Sequence, residues 1–281
     1  MVKREIPSPL IKWAGGKRQL LHHIDKRLPA SFNKYYEPFF GGGALFFHLQ
    51  PKDAILNDLN PALINLYKQV RDNCETYKQI LSQIDFELQK NETGTSDYFY
   101  TARAHFNELL ASNTFNVETA ALLTFINKHC FNGLYRVNGK GAFNVPYNKS
   151  LKPSFDPTNT DAVSLALVHA ELQCGDFADS VSNAKADDFI FFDSPYVPLN
   201  DNTFEAYTKE GFSEKDHYRL ASLFYELDKR NCKLMLTNHD TPLIRKLYLN
   251  YKIDVIDVKR SINSNAKNRQ GTEVIITNYL D

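Results

Sequence analysis

The most pointed chemistry in the chain lies in four residues, Asp193-Ser194-Pro195-Tyr196, which follow directly on the apolar run Phe189-Ile190-Phe191-Phe192. Such a run suits a strand buried on both faces, and the tetrad then falls at its carboxyl end, where open α/β sheets bind their ligands. The carboxylate of Asp193 and the backbone carbonyl of Ser194 can each accept one N–H of an exocyclic amine whose lone pair is delocalised into a ring. That pulls the nitrogen toward tetrahedral geometry and aims its lone pair at an electrophile such as a sulfonium methyl. Pro195 fixes its own φ and restricts the residue before it, which stiffens the Ser194 carbonyl. Tyr196 offers a face on which a base can stack, and an extrahelical base needs one because leaving a duplex costs it a few kcal/mol. Taken alone, the tetrapeptide is equally a strand-ending turn.

A second chemical feature is Glu37-Pro38-Phe39-Phe40-Gly41-Gly42-Gly43-Ala44, placed where a short strand turns into a helix. Missing Cβ atoms there let a ligand approach the backbone. A dinucleotide fingerprint needs a further glycine where Phe46 stands, so a pyrophosphate is disfavoured. Asp58, at the end of the next strand, would accept hydrogen bonds from ribose hydroxyls; together the two features describe an adenosine site without pyrophosphate. A tight structural turn for the glycines and a helix cap for Asp58 are the plainer alternatives. Upstream, Lys12-Trp13-Ala14-Gly15-Gly16-Lys17 is no Walker loop, since Arg18 occupies the Ser/Thr place. It still offers an aromatic edge, open backbone and a cation for a carboxylate, although a buried structural tryptophan is an alternative.

The elements that must carry these residues can be read from alternation. A strand over Lys34 to Glu37, the glycine turn, a helix from Ala44, a strand over Ala54 to Leu56 and a helix opened by Asn60-Pro61 together predict a parallel sheet. From Glu75 to about Ala121 the chain is polar and helix-forming, and an apolar stretch follows over Ala120 to Ile126, which predicts a helical insert. Strand signals resume at Ala166 to Cys174, Phe189 to Phe192 and Lys233 to Leu236. Two β-rich runs, Lys252 to Val258 and Thr272 to Thr277, predict a terminal hairpin. The expected fold is α/β: a Rossmann-like, mostly parallel sheet with a C-terminal antiparallel hairpin, formed by residues 1–70 and 166–281. A helical unit over 71–165 interrupts it.

Composition bounds the rest. At 281 residues, 43% hydrophobic and 23% charged, the chain has the makeup of a globular protein of about two domains, or one with an insertion. No apolar run approaches the roughly 18 residues of a membrane span, and the N-terminus lacks a signal-peptide core, so a cytoplasmic address is expected. Cys74, Cys130, Cys174 and Cys232 show no ligand spacing, and no metal is expected. Lysine plus arginine equals aspartate plus glutamate at 33 each, but the signs are segregated. Asn127 to Lys152 carries Lys128, Arg136, Lys140, Lys149 and Lys152 with no acid, whereas Pro153 to Lys215 has twelve acids against three lysines. Such a basic segment fits contact with a phosphate backbone, or a solvated surface loop.

Jointly the motifs resemble the Dam-type DNA adenine-N6 methyltransferases (D12 class, group alpha), in which the glycine motif precedes the recognition insert and the tetrad follows it. The resemblance is carried by Lys12 to Lys17, Glu37 to Gly43, Asn57 to Asn60, Asn132 to Tyr147, Asp193 to Tyr196 and Thr237 to Thr241. It implies a class I methyltransferase fold and S-adenosyl-L-methionine as cofactor, leaving S-adenosyl-L-homocysteine as product. The implied cofactor residues are Trp13, Ala14, Gly15, Lys17, Glu37, Phe39, Gly41, Gly42, Gly43, Asp58 and Asp193, with Asp176 and Phe177 at the cofactor adenine. Catalysis would rest on Asp193, Ser194, Pro195 and Tyr196.

Phe131 to Asn138 and Phe143 to Tyr147 resemble the recognition hairpin, at about 129–148, of members that modify GATC. The implied DNA contacts are Phe131, Asn132, Leu134, Arg136, Asn138, Lys140, Asn144 and Pro146. Arg136 would read a guanine bidentately for about 1–3 kcal/mol of discrimination. Leu134 and Pro146 would meet thymine methyls or exclude other bases, and Phe131 or Asn132 would fill space around a flipped base. Ser261 to Arg269 would add a basic loop near the target strand. The implied partner is double-stranded DNA containing GATC in a bacterial or phage setting; single-stranded DNA and a cognate restriction endonuclease stay open as further partners. The family's tetrad has proline second where this chain has Ser194. A DNA-binding protein with weak or no transferase activity, and a transferase acting on RNA or a protein amide, are therefore the competing expectations.

Overall fold

Seven strands form one sheet in the order β3-β2-β1-β4-β5-β7-β6. A computed structural model of the chain describes residues 6–13, 15, 20–91, 94–199, 211–259 and 270–279. Its elements run α1 (Leu21–Asp25), β1 (Tyr35–Glu37), α2 (Ala44–Leu49), β2 (Ala54–Asp58), α3 (Pro61–Asp72), α4 (Cys74–Lys90), α5 (Thr95–Ala111) and α6 (Val117–His129). After a hairpin come α7 (Pro157–Leu167), β3 (Ala170–Cys174), α8 (Phe177–Ser180), β4 (Phe189–Phe192), α9 (Glu214–Lys229), β5 (Lys233–His239), α10 (Pro242–Leu247), β6 (Lys252–Lys259) and β7 (Gln270–Thr277). Strands β1 to β5 pair in parallel, while β7 runs antiparallel to both β5 and β6. This is the expected Rossmann-like sheet, mostly parallel with a C-terminal antiparallel hairpin.

The strand order decides where chemistry can occur. From β1 the chain builds outward through β2 and β3 on one side, then returns to lay β4 on the other side of β1, with Tyr35 opposite Phe189 and Tyr36 opposite Ile190. The crevice beyond the carboxyl ends of β1 and β4 is the topological switch point at which open α/β sheets take ligands. The glycine loop leaves β1 there and the tetrad leaves β4 there.

Strand alternation feeds two cores. Phe189 and Phe191 face the side covered by α2, α3 and α6; Ile190 and Phe192 face the side covered by α9 and α10. The helical insert has no core of its own. Phe99, Phe106, Leu123, Phe125 and Phe143 join the same apolar cluster as Tyr35, Leu56 and Phe189. Helix α6 is buried at nearly every position from Thr119 to Asn127, as a central helix must be.

One expected boundary moves. The strand predicted from Ala166 begins at Ala170, because Asp156 caps Thr158 N and Asn159 N ahead of Pro157 and drives a helix through to Leu167. The boundary drawn at residue 165 thus falls inside α7, which packs on α3.

Candidate active site

Around the glycine loop, backbone groups at the ends of three strands are stitched together by side chains. Asn57 Nδ2 donates to Pro38 O and to Gly175 O, each at 3.0 Å. Asp58 divides its carboxylate: Oδ2 accepts from Gly41 N at 2.9 Å and Oδ1 from Asn60 N at 2.9 Å. Tyr67 closes the far side by donating to Gly42 O at 3.1 Å. Gly43 has φ +67 and caps α2; a Cβ there would lie 2.4 Å from the Phe40 ring, so only glycine fits. Trp13 lies against Gly41, its Cδ1 3.0 Å from where a Cβ would stand. Phe46, in the place where a pyrophosphate loop needs glycine, is fully buried in the core.

Two carboxyls behind this loop are shifted by desolvation. Burial pushes Glu37 well above the usual carboxylate range, and the nearby Asp193 charge adds to that, although Tyr35 donates to Glu37 Oε2 at 2.8 Å and opposes it. Burial also raises Asp58, against the N–H groups of Asn60 and Gly41 that favour its charged form.

The tetrad is held from β5. Thr237, fully buried, donates its hydroxyl to Asp193 Oδ1 at 2.8 Å. Asn238 Oδ1 accepts from Val197 N at 2.9 Å, and its Nδ2 reaches Ser194 Oγ at 3.4 Å. His239 Nδ1 contacts Val197 O at 2.8 Å, and its ring meets Tyr196 edge-on at 4.8 Å between centroids. The Tyr196 phenol donates to Glu273 Oε2 on β7 at 2.9 Å, and it also contacts Thr237. Ser194, only 2% exposed, is thereby tied where the resembled tetrad carries a second proline. Asp193 is half-buried, at the end of the strand next to β1 and near enough to Glu37 for its charge to act there.

On the other flank, three rings form an aromatic cluster. Phe39 stacks on Phe177 at 5.2 Å, and Phe212 lies 5.8 Å from Phe39 and 6.0 Å from Phe177. Asp176 caps α8 through Ala178 N at 2.9 Å and pairs with Arg219, whose guanidinium lies 4.3 Å above the Phe177 ring. His217, edge-on to Phe212, is buried, and its Nε2 has no hydrogen-bond partner. Desolvation lowers its pKa to about 4.

The basic segment forms an irregular hairpin. Isolated bridges join Cys130 to Tyr147 and Val137 to Phe143, and Phe131 N donates to Pro146 O at 2.8 Å. Asn138 Oδ1 accepts from Lys140 N and Ala142 N and so shapes the tip. Arg136 and Asn144, both singled out from the sequence, meet: Arg136 Nε donates to Asn144 Oδ1 at 2.8 Å. Phe131, Asn132, Leu134, Arg136, Lys140 and Pro146 are exposed on it.

The sequence profile of the D12 class N6 adenine-specific DNA methyltransferases matches residues 13–262, most of the chain. The chain belongs to this family. Among its relatives, the type II methyltransferase M1.LlaDCHI of Lactococcus lactis is 39% identical over 276 residues, 96% of this chain and 95% of the relative. The type II methyltransferase M.MjaIII of Methanocaldococcus jannaschii is 39% identical over 287 residues, 97% of this chain and 99% of the relative. The DNA adenine methylase of Escherichia coli K12 is 33% identical over 270 residues, 96% and 94% of the two chains. This D12 methyltransferase is therefore an adenine-specific DNA-methyltransferase enzyme that requires a methyl donor and acts on DNA.

The fold gathers the glycine loop, Asp58, Trp13, Asp193 and Tyr196 at one sheet edge, and Phe39, Asp176 and Phe177 at its flank. Ala14, Lys17 and the loop Ser261 to Arg269 lie outside the described residues. Sequence reasoning missed Thr237 as a hydrogen-bond donor to Asp193, as well as Glu273 on Tyr196 and Arg219 on Asp176. The run Thr237-Asn238-His239 at the end of a strand was the available signal for the first. Among the described residues one trio with metal-ligand chemistry gathers, Cys74, Glu75 and Asp161, but Lys78 Nζ lies 2.7 Å from Glu75 and 2.6 Å from Asp161 and supplies their counter-charge. No helix among the described residues is long and apolar enough to cross a membrane.

Proposed function

We propose that this D12 methyltransferase transfers the methyl group of S-adenosyl-L-methionine to N6 of the adenine in GATC, in double-stranded DNA, as a cytoplasmic bacterial or phage-encoded enzyme. The observation that carries the chemistry is Asp193 at the carboxyl end of β4, beside the glycine loop of β1, with one carboxylate oxygen fixed by Thr237. The residues fit the cofactor: the apolar wall of Phe39, Phe177 and Phe212 suits the edge of a flat heteroaromatic base, with the unpartnered His217 Nε2 beside it. The glycine loop lies beside it, with Gly41 and Gly42 half-buried and Gly43 buried. When bound, the cofactor supplies an electrophilic methyl on a sulfonium. Trp13, Ala14, Gly15, Lys17, Glu37, Phe39, Gly41, Gly42, Gly43, Asp58, Asp176, Phe177 and Asp193 would hold it.

Toward the acceptor, Asp193 and the Ser194 carbonyl each take one N–H of the adenine amine, which withdraws its lone pair from the ring. Thr237 holds one oxygen of Asp193, so the carboxylate meets the amine in a fixed orientation. Tyr196 stacks on the flipped base, and Glu273 and His239 fix its plane. The GATC reading is supported by the hairpin sequence and by the exposure of Arg136 and Leu134; a cognate restriction endonuclease is a natural companion, since type II methyltransferases are among the relatives.

Transfer of labelled methyl is measured on GATC duplex, on a scrambled duplex, and on GATC-containing single-stranded DNA and RNA. Label confined to GATC DNA is expected; label on RNA alone, or equally on both duplexes, overturns the reading. Asp193→Ala is expected to abolish transfer while leaving duplex binding intact, and turnover in that variant refutes the role of Asp193.

A further inference from the structure

Along the extended segment that starts at Leu134 the exposure alternates: Leu134 and Arg136 face outward, and Tyr135 between them faces inward. Successive side chains of an extended chain point to opposite sides, so one strip of the recognition hairpin presents two faces. We propose that the inner face belongs to the cofactor site, with Tyr135 as a positioning residue that the hairpin supplies to it; this rests on the S-adenosyl-L-methionine reading above.

Two routes lead from Tyr135 to the glycine loop. In the first, its ring lies 4.8 Å from the Trp13 ring at 31°, and Trp13 in turn abuts Gly41. In the second, the Asn60 side chain lies beside the Tyr135 hydroxyl; the backbone N–H of Asn60 is held by Asp58 Oδ1, whose Oδ2 holds Gly41 N. Tyr135 is 7% exposed, so its ring has little freedom to leave this arrangement.

The anchoring of the hairpin serves the same end. Asn127, buried in α6, accepts from Lys12 N and donates to Lys12 O, both at 3.0 Å, and donates to Gly133 O at 3.0 Å. Gly133 has φ +65, and a Cβ on it would stand 2.7 Å from the Lys12 side chain. One amide thus locks the residue before Trp13 to the residue two before Tyr135. A pocket ordered before binding gives up less conformational freedom on binding. Removal of Tyr135 leaves Trp13 and Asn60 to be ordered by the cofactor itself.

The test is titration calorimetry of the full chain with S-adenosyl-L-homocysteine, alongside thermal unfolding without it and duplex binding. Tyr135→Ala is expected to bind about two- to tenfold more weakly, the range set by losing an aromatic pair. Tyr135→Phe, which keeps the ring, loses less. A merely structural role would lower the unfolding temperature but leave the affinity of the folded protein unchanged. Wild-type S-adenosyl-L-homocysteine affinity in Tyr135→Ala, with weakened duplex binding, overturns the proposal. If Tyr135→Ala does not fold, Tyr135→Leu decides: weaker binding supports the proposal and wild-type affinity overturns it. Failure of the unaltered chain to bind S-adenosyl-L-homocysteine instead sinks the cofactor reading, and this inference with it.

Discussion

Thr237→Val removes one hydroxyl at nearly constant shape, at a fully buried position whose hydroxyl donates to Asp193 Oδ1 at 2.8 Å. The variant leaves the fold's apolar contacts in place and loosens the carboxylate that must meet the adenine amine. A hydrogen bond to a charged group contributes about 1.5–3 kcal/mol. If that full orientation is needed in the transition state, the transfer step slows roughly ten- to 150-fold, at about 1.36 kcal/mol per tenfold. Single-turnover transfer of labelled methyl to a GATC duplex reads this directly, with duplex affinity and S-adenosyl-L-homocysteine affinity measured in parallel. The expected pattern is a slow step with both affinities near wild type, and recovery in Thr237→Ser, which restores a hydroxyl. A wild-type rate in Thr237→Val, or a Thr237→Ser variant as slow as the valine, refutes the argument that this bond orients Asp193.

Arg136→Ala is expected to relax sequence choice by about 1–3 kcal/mol of discrimination at one guanine, read as the ratio of transfer rates on GATC and on a duplex with that guanine replaced; an unchanged ratio removes Arg136 from base reading. His217 supplies a pH prediction. Its pKa falls to about 4 in the fold from the ordinary 6.5, because burial disfavours the imidazolium. The unfolded chain therefore binds a proton that the folded chain refuses, and stability is lost as pH falls from 6.5 toward 4, by about 2 kcal/mol between pH 7 and pH 5. His217→Phe should flatten that segment of the stability curve in denaturant titrations at the two pH values, and an equally steep loss in the variant rules out His217 as its source.

Local motifs were legible because each is confined to a few residues with a physical reason of its own. The four-residue apolar run gave β4, and Asn60-Pro61 gave the start of α3, where Asn60 Oδ1 accepts from Leu63 N. The terminal hairpin was equally clear, since β-rich runs on both sides of a polar loop leave little alternative. The strand signal from Ala166 starts four residues ahead of β3 because Ala166 to Val168 is apolar enough for either element, and the Asp156-Pro157 cap that extends a helix through Leu167 lies about ten residues upstream. Asp58 shows a subtler gap. Its residue type suggested a ribose contact, whereas the fold also uses both its oxygens to bind the backbone of the glycine loop and of α3.

The sequence by itself determined the chemistry on offer: an acid and a carbonyl after a buried strand, a glycine turn after another, and a basic hairpin between them in chain order. Tertiary structure alone decided that these meet, because strand order is a property of which sheet edges pair and leaves no local trace. Laying β4 against β1 brings Asp193 beside the glycine loop, and laying β5 and β7 beyond it brings Thr237 and Glu273, 44 and 77 residues from their partners, to hold the tetrad. The same holds for Tyr135, whose inward turn toward Trp13 follows from the alternation of an extended chain anchored by Asn127, a contact across 115 residues that no spacing announces.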